Sequence, residues 1–293
     1  MKSDGTRQID SGLYVVATPI GNLGDITLRA VDVLRSVDRI AAEDTRRTRQ
    51  LLSHLGIAGK PLDALHEHSS ERDVERLASL LESGTSMALV TDAGTPAVSD
   101  PGGALVNAAI AAGIRVVPVP GASAVLAALV ASGLGDGHGF RFLGFLPRAG
   151  SVRRDAIARA CETPEPVILF ESPERTNTTL HELAQAMPDR RACVARELTK
   201  IHEEFVRGTL AELANEHGDW RGEIAIVLGS FSPKAHAESI DDADIDARID
   251  QELDRDTHAK TIAERIAAWS GRPKREIYER VVRKKSDRGE RIS

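Results

Sequence analysis

Four short clusters of charged and hydroxyl side chains could carry out chemistry in this sequence. Each comes shortly after an apolar run of strand length, at residues 43–47, 99–100, 171–175 and 196–200. Carboxylates, lysines and arginines move protons and stabilise developing negative charge in enzymes. One such cluster could be a helix cap beside an exposed ion pair, but four of them at strand ends favour a functional site.

Three loops are suited to close approach of a ligand, at residues 18–25, 92–96 and 120–124. Each follows a predicted strand and contains glycine, which admits positive φ angles and leaves room against the backbone. The spacing of Gly21 and Gly24 lacks the GxGxxG pattern of dinucleotide-binding loops. A nicotinamide-dependent dehydrogenase is therefore not indicated.

Other common catalytic patterns are absent from the sequence. It contains no GxSxG, HExxH or GxxxxGK[ST] motif, so hydrolase, zinc peptidase and P-loop functions are not indicated. The two cysteines, Cys161 and Cys193, lack metal-ligand spacing, and His66 and His68 lack a third ligand. We expect buried thiols and no metal site.

Strand and helix patterns alternate along most of the chain, which predicts an α/β fold of two domains. The first sheet should be largely parallel, with binding loops at the carboxyl ends of its strands. The predicted strands are residues 13–18, 39–42, 86–90 and 116–119, then 140–145, 166–170, 192–196 and 223–228. The predicted helices are residues 26–37, 45–55, 103–112, 124–131, 153–160 and 176–186.

Composition and charge divide the chain further. The whole chain has a net charge of -6, but residues 238–254 carry 8 acids and 1 base, while residues 255–291 carry 12 bases and 6 acids. This charge distribution is typical either of a protein that binds a polyanionic partner or of helices with solvated, charged faces. We predict a disordered N-terminus (1–12), α/β domains (13–120 and 121–232), an acidic linker (233–254) and a basic helix-turn-helix-like module (255–293) with helices at 259–270 and 274–283.

Seven signatures in order make the first three-quarters of the chain resemble a known family. They are TPIGNLGDIT (18–27), AEDTRRT (42–48), LVTDAGTPAVSDPG (89–102), PGASA (120–124), GFLP (144–147), ESPER (171–175) and RELTK (196–200). The sequence resembles the small-subunit ribosomal RNA methyltransferase I family of the tetrapyrrole-methylase (class III) superfamily. The resemblance implies two α/β domains with S-adenosylmethionine in the cleft between them, usually as a homodimer. It also implies 2'-O-methylation of cytidine 1402 in 16S ribosomal RNA, at the decoding site.

The resemblance also implies which residues contact the methyl donor. These are Pro19, Ala93, Gly94, Thr95, Val98, Ser123, Ala124, Leu146 and Ala225. The wider superfamily often has Gly-Asp-Pro where this chain has Gly94-Thr95-Pro96. The threonine favours the RNA-methylating branch and removes one acceptor that an aspartate would offer the donor.

The implied reaction sets the requirements for catalytic residues. Methyl transfer from a sulfonium is an in-line displacement, so the protein must align the reactants and exclude water, and no metal is demanded. A ribose hydroxyl is a poor nucleophile, so a base or a cation near the developing alkoxide should help. The candidates are Asp44, Glu197 and Lys200, which lie at strand ends in family-specific clusters.

Binding to RNA requires cations because phosphate contacts dominate affinity. Candidate cations in or after the predicted loops and in the C-terminal module are Arg46, Arg47, Arg49, Arg148, Arg153, Arg154, Lys274 and Arg275. Aromatic residues make up only 3% of the chain, so we expect recognition through phosphates, ribose and RNA shape instead of base stacking.

Two other functions stay open from the sequence. One is a tetrapyrrole methyltransferase of the same fold, since a substrate rich in carboxylates would also suit arginines. The other is a non-catalytic nucleic-acid-binding regulator that uses the helix-turn-helix outline. The polar N-terminus and the short apolar stretches predict neither a signal peptide nor a membrane span, so we expect a cytoplasmic protein.

Overall fold

The computed structural model describes residues 9–215, 218–231, 240–254 and 257–288. The chain forms two compact units. The first comprises Met1–Ala127 with Glu197–Glu204, and the second comprises Ala128–Arg196 with Phe205–Ser293. Residues 197–200 of the RELTK signature thus belong to the first unit, although strands of the second unit surround them in sequence. Most of the predicted N-terminal segment 1–12 lies outside the described residues.

A parallel sheet forms the centre of the first unit. Its strands are β1 (Gly12–Val16), β2 (Arg39–Ala42), β3 (Leu62–Ala64), β4 (Ser86–Val90) and β5 (Val116–Val119). In the described part of the chain the order is β3-β2-β4-β1-β5, and every neighbouring pair is parallel. Such strands are buried on both faces, which explains why β4 is apolar and buried along its whole length.

Helices cover both faces of this sheet. They are α1 (Leu28–Ser36), α2 (Thr45–His54), α3 (Glu71–Glu82) and α4 (Gly103–Ala111), and α5 (Ala124–Ser132) continues into the second unit. Side chains fix their starts: the Thr27 hydroxyl accepts from the Ala30 N–H, and Ser70 and Asp73 form a capping box. One core cluster contains Leu34 and Ile40, and another contains Leu77 and Leu89.

The second unit contains a mixed sheet. Its strands are β6 (Arg141–Phe145), β7 (Val167–Glu171), β8 (Arg191–Arg196), β9 (Glu204–Thr209) and β10 (Ile224–Leu228). Among the described residues the order is β6-β7-β10-β8-β9. Strand β6 is parallel to β7, whereas β10 is antiparallel to both β7 and β8.

The helices of the second unit are α6 (Gly150–Glu162), α7 (Pro173–Ala186) and the short α8 (Leu210–Asn215). The main core contains Ile157, Leu169, Leu180, Val194 and Ile226, so it lies between these helices and one face of the sheet. The two-domain α/β class predicted from the sequence is confirmed. The prediction omitted β3, α3, β9 and α8.

Three further helices form the C-terminal part of the second unit. They are α9 (Asp242–Leu253), α10 (Ala259–Ser270) and α11 (Lys274–Asp287). Helix α9 contradicts the prediction of an acidic linker over its length, because Ile245, Ile249 and Leu253 pack in one core with α10 and α11. Residues 233–239 of that predicted linker lie outside the described residues.

In the described part of the chain, no helix is both long and apolar enough to cross a membrane.

Candidate functional site

The glycine loops of the first unit meet at the carboxyl edge of its sheet. The loop after β1 pairs with the loop after β4, since the Thr18 N–H donates to the Gly94 carbonyl at 2.9 Å and the Gly94 N–H donates back at 3.1 Å. The Thr95 hydroxyl donates to the Ala122 carbonyl in the loop after β5 at 3.3 Å. The structure therefore brings together the three loops that the sequence selects.

Glycine is needed at two positions where these loops approach each other. Gly94 has a φ of 85°, and a Cβ there would lie 3.4 Å from Ile20 Cγ2. A Cβ on Gly121 would lie 3.0 Å from the Ala17 Cβ. Residues with side chains would strain the first position and crowd the second.

Backbone strain is concentrated in two loops of the first unit. Among the described residues, the non-glycine positions with positive φ are Ala97, Ser99, Glu197 and Thr199. Such conformations cost free energy and recur at functional sites, where the surrounding structure maintains them. Two of these positions are in the loop after β4 and two are in the RELTK signature.

The RELTK segment lies directly against the loop after β1. The Asn22 N–H donates to the Thr199 hydroxyl at 3.0 Å. A Cβ on Gly21 would lie 2.5 Å from Lys200 Cγ, so this glycine is required for the contact. The Lys200 ammonium donates to Glu197 Oε1 at 2.8 Å, and both side chains are partly exposed. The structure therefore places these two predicted catalytic residues next to a predicted donor loop.

A group of carboxylates lies at the ends of β2 and β4. Its members Glu43, Asp92 and Asp100 belong to the clusters and loops that the sequence predicts, but not to the predicted catalytic residues. Glu43 accepts from the Thr91 hydroxyl at 2.6 Å and from the Asp92 N–H at 3.1 Å. Asp92 accepts from the Asp44 N–H at 3.1 Å. Burial, with Glu43 nearby, raises the pKa of Asp100 to about 6. The sequence feature that could have identified this group is the acidic residues of the AEDTRRT and LVTDAGTPAVSDPG signatures.

Asp44, the third predicted catalytic residue, caps helix α2. Its carboxylate accepts from the Arg46 N–H at 2.7 Å and from the Arg46 guanidinium at 2.8 Å. These bonds to Arg46 hold the pKa of Asp44 far below its usual range. Asp44 therefore stays a prediction as a catalytic residue: its carboxylate holds the start of α2 and pairs with Arg46, and a lowered pKa makes it a weaker base.

The other predicted donor contacts of the first unit lie in these loops or directly beside them. Pro19, Ala93, Ser123 and Ala124 are partly exposed, and Val98 is exposed. Their side chains are accessible at the edge of the sheet.

The two predicted donor contacts of the second unit are buried. The Leu146 side chain packs in the main core, and its carbonyl accepts from Arg175 at 2.7 Å. Ala225 lies in β10, directly opposite Phe170 of β7. For Leu146, only the backbone remains for contact with a ligand.

Arg153 does not fit its predicted role in RNA binding. Its side chain is 6% exposed and pairs with Glu182 at 2.6 Å. Its guanidinium also donates to the Thr179 hydroxyl at 2.9 Å and to the Pro147 carbonyl at 3.0 Å. The prediction is wrong because these partners enclose the guanidinium and leave it inaccessible to phosphate.

The remaining predicted RNA-binding arginines are exposed. Arg46 and Arg47 point into solvent, with exposed side-chain fractions of 84% and 67%, while they pair with Asp44 and Asp92. Arg49, Arg148 and Arg154 are exposed as well.

The two predicted RNA-binding cations of the C-terminal module are paired within the chain. Lys274 lies 2.5 Å from Glu264, and Arg275 lies 3.0 Å from Glu279. Helix α11 also pairs with the acidic helix α9, through Arg280–Asp242 at 2.9 Å, Lys284–Asp250 at 2.6 Å and Arg288–Asp254 at 2.7 Å. The opposite charges of the two segments thus compensate each other.

Metal binding has no support in the described part of the chain. No group of three or more histidine, cysteine, aspartate or glutamate side chains there is arranged to hold an ion. Cys161 and Cys193 are buried free thiols, and burial raises the pKa of both.

A parallel α/β sheet with clustered strand-end loops, followed by a mixed α/β sheet, is the architecture of class III methyltransferases. The family model of the tetrapyrrole (corrin/porphyrin) methylases matches residues 12–214. The fold is similar to the crystal structure of the uroporphyrin-III C-methyl transferase of Thermus thermophilus complexed with S-adenyl homocysteine. The TM-score is 0.53 at 20% identity, covering 74% of this chain and 97% of that one.

Two relatives of higher sequence identity show to which group within this class the chain belongs. The ribosomal RNA small subunit methyltransferase I of Micromonospora olivasterospora is 44% identical over 288 residues, which cover 96% of this chain and 90% of that protein. The protein with the same name from Xylella fastidiosa strain Temecula1 is 46% identical over 271 residues, covering 91% and 97%. The chain therefore belongs to the tetrapyrrole methylase family and, within it, to the ribosomal RNA small subunit methyltransferase I group.

Proposed function

We propose that the chain transfers a methyl group from S-adenosylmethionine to the ribose 2'-hydroxyl of cytidine 1402 in 16S ribosomal RNA. The family membership and the names of the relatives support a ribosomal RNA substrate. The observation that carries the proposal is the edge of the first sheet. There, three glycine loops meet, and the strained RELTK segment packs against the loop after β1.

The residues at this edge fit a donor that lies against backbone. At this edge the donor would contact Pro19, Ala93, Gly94, Thr95, Val98, Ser123 and Ala124. The family resemblance also names Leu146 and Ala225, which belong to the second unit. Gly94, whose φ is 85°, lets the loop after β4 pack closely against the loop after β1, since a Cβ there would lie 3.4 Å from Ile20 Cγ2. The Thr95 hydroxyl donates to the Ala122 carbonyl, so the main contribution of this side chain is to hold two of the loops together.

The donor supplies the activated methyl group, and the protein must align and stabilise the reacting hydroxyl. Lys200 supplies a positive charge that stabilises the alkoxide as the hydroxyl loses its proton. Glu197, 2.8 Å from that ammonium, fixes its position and is the acceptor for the proton. Glycine at position 21 allows the Lys200 side chain to approach the loop after β1.

The RNA is held by exposed cations. We propose that Arg46, Arg47, Arg49, Arg148 and Arg154 contact phosphates, since each is exposed. The substrate is the small ribosomal subunit or its 16S RNA.

We also propose a homodimer. Helix α5 is apolar around its circumference and exposes Leu126 by 50% and Val130 by 78%. A helix of this composition is normally covered on all sides.

The test is methyl transfer with purified components. The protein is incubated with radiolabelled S-adenosylmethionine and small ribosomal subunits that lack the methyl group, and the modified nucleotide is mapped by reverse transcription at low nucleotide concentration. Labelling at cytidine 1402 is expected. Labelling elsewhere in the RNA would refute the assigned target, and no labelling of the RNA would refute the RNA substrate.

A further inference from the structure

The second unit contains a partly exposed cluster of three phenylalanines. The rings of Phe142 and Phe170 lie 4.9 Å apart, and those of Phe145 and Phe170 lie 5.6 Å apart. The chain has six phenylalanines, so half of them lie in this one cluster. Phe145 is 59% exposed at the edge strand of the sheet. An exposed phenyl ring backed by other rings is a surface available for stacking.

A β-bulge creates the cluster. Between the pairs Phe142–Ile168 and Phe145–Phe170, strand β6 advances three residues while β7 advances two. The extra residue falls near Gly144, which has a φ of 64°. Side chains three apart in a regular strand point to opposite faces, whereas the bulge places both rings on the face of Phe170. Bulges that redirect a side chain in this way are common beside active sites.

The cluster lies in the same row of the sheet as a proposed donor contact. Phe145 is opposite Phe170 in β7, and Phe170 is opposite Ala225 in β10. Directly opposed residues share a face of the sheet, and Phe145 is therefore two strand spacings, about 10 Å, from Ala225. That separation suits a nucleotide whose ribose is near the donor and whose base is on the phenyl ring.

Free cations are close to Phe145 in the chain. Arg148 follows it by three residues and Arg154 lies in the first turns of α6, and both are exposed. No described carboxylate is within ion-pair distance of either guanidinium. Aromatic rings among unpaired cations are the combination with which proteins hold unstacked, single-stranded nucleic acid.

We propose that Phe145 is a stacking platform for an unpaired base of the RNA substrate. This inference rests on the proposed function, because it assumes that the substrate is RNA and that Ala225 lies near the donor. The base gains contact with a ring that Phe142 and Phe170 hold in place. The expectation from composition that base stacking is absent would then be wrong, because the few aromatic residues are concentrated at one position.

The test compares Phe145→Leu with Phe140→Leu in methyl transfer to small ribosomal subunits. Phe140 is a matched control because it is 41% exposed next to the same strand and lies outside the cluster. Phe145→Leu should raise the KM for subunits by about 5- to 100-fold, the range found when a stacking ring is removed. The Kd for S-adenosylhomocysteine should stay unchanged, and Phe140→Leu should behave as wild type.

A second variant gives a direct signal. In Phe145→Trp, the KM should remain near wild type, and an oligoribonucleotide with the decoding-site sequence should quench fluorescence beyond the background of the two native tryptophans. An unchanged KM in Phe145→Leu together with no quenching in Phe145→Trp would overturn the inference. So would a change of oligomeric state in Phe145→Leu with unchanged KM, since Phe145 would then contact another copy of the chain. If the wild-type protein methylates no RNA, the proposed function is wrong. That result differs from the two outcomes above, in which the wild-type protein still methylates RNA.

Discussion

The carboxyl edge of the first sheet and the C-terminal helices both contain many charged residues, but they use them differently. At the edge, Arg46 and Arg47 remain largely exposed, and the carboxylates lie beside strained loops. In the C-terminal module, helices α9 and α11 neutralise each other through a series of ion pairs over an apolar core. Charge density alone therefore does not identify a binding surface, and we propose the edge as that surface because its charges lie beside strained, glycine-dependent loops.

The largest effect should come from breaking the edge at Gly94. Gly94→Val forces a β-branched residue into a φ of 85° and places a Cβ 3.4 Å from Ile20. We expect at least a 100-fold loss of affinity for S-adenosylhomocysteine, measured by calorimetry. Gly59→Val is the matched control, since Gly59 also has a positive φ of 73° but a Cβ there meets nothing within 4 Å. Equal affinities in the two variants would remove the loop after β4 from the donor site.

The next effect should come from Lys200. Lys200→Met keeps the aliphatic stem that packs against Gly21 but removes the charge. Loss of one transition-state donor typically lowers turnover by about 100-fold. We expect that decrease in kcat with an unchanged Kd for S-adenosylhomocysteine. The control is Lys60→Met, because Lys60 donates to the Val37 carbonyl in the same unit and has no role at the edge. A parallel fall in donor affinity would assign Lys200 to donor binding.

We expect a smaller effect on the salt dependence of RNA binding, and this effect should differ between the cations of the two regions. The double variant Arg46→Gln, Arg47→Gln should weaken RNA binding and reduce the slope of log K against log salt by about 1 to 2. The double variant Lys274→Gln, Arg275→Gln should leave the slope unchanged, because Glu264 and Glu279 pair with these residues. Filter binding at four salt concentrations measures both. A reduced slope in the second pair alone would place the RNA on the C-terminal module.

The smallest effect concerns two aspartates with opposite pH behaviour. Asp100 has a pKa raised to about 6, above the ~3.9 of an unfolded chain, so its ionisation destabilises the fold above about pH 6 and this cost vanishes by about pH 4. Asp250 has a lowered pKa because Lys284 bonds to it, so its stabilisation is present at neutral pH and is lost in acid.

At pH 7.5, Asp100→Asn should therefore raise the free energy of unfolding by about 1 kcal/mol, a value reduced for solvent screening, and Asp250→Asn should lower it by about 0.5 kcal/mol. Urea unfolding at pH 7.5 and pH 4 measures both. The difference for Asp100→Asn should nearly vanish at pH 4, whereas the difference for Asp250→Asn should largely persist there, because a group with a lowered pKa loses its stabilisation only below its unfolded value. Destabilisation by Asp100→Asn at pH 7.5 would show that the ionised carboxylate stabilises the edge.

The sequence predicted the features that depend on local pattern. Alternating strands and helices, the glycine loops and the positions of α10 and α11 follow from hydrophobic period and turn residues. Helix α9 was missed because its acidic composition suggested a linker, although Ile245, Ile249 and Leu253 recur at helical spacing. Strand β3 was missed because it has only three residues.

Site residues were harder to predict because their roles depend on partners distant in sequence. Asp44 and Arg153 have the right chemistry, but a helix start and a buried network occupy them. The contact of Lys200 with Gly21 joins residues far apart in sequence and requires the fold itself. Likewise, the bulge at Gly144 that gathers three phenylalanines becomes visible only when β6 is paired with β7.

The most direct test of the account is nucleoside mass spectrometry of 16S ribosomal RNA from cells that lack this protein. The 2'-O-methyl group of the decoding-site cytidine should be absent, restored by the wild-type chain and not restored by Gly94→Val at equal expression. A methyl group that persists without the protein would contradict the ribosomal target. Full restoration by Gly94→Val would contradict the claim that the edge of the first sheet holds the methyl donor.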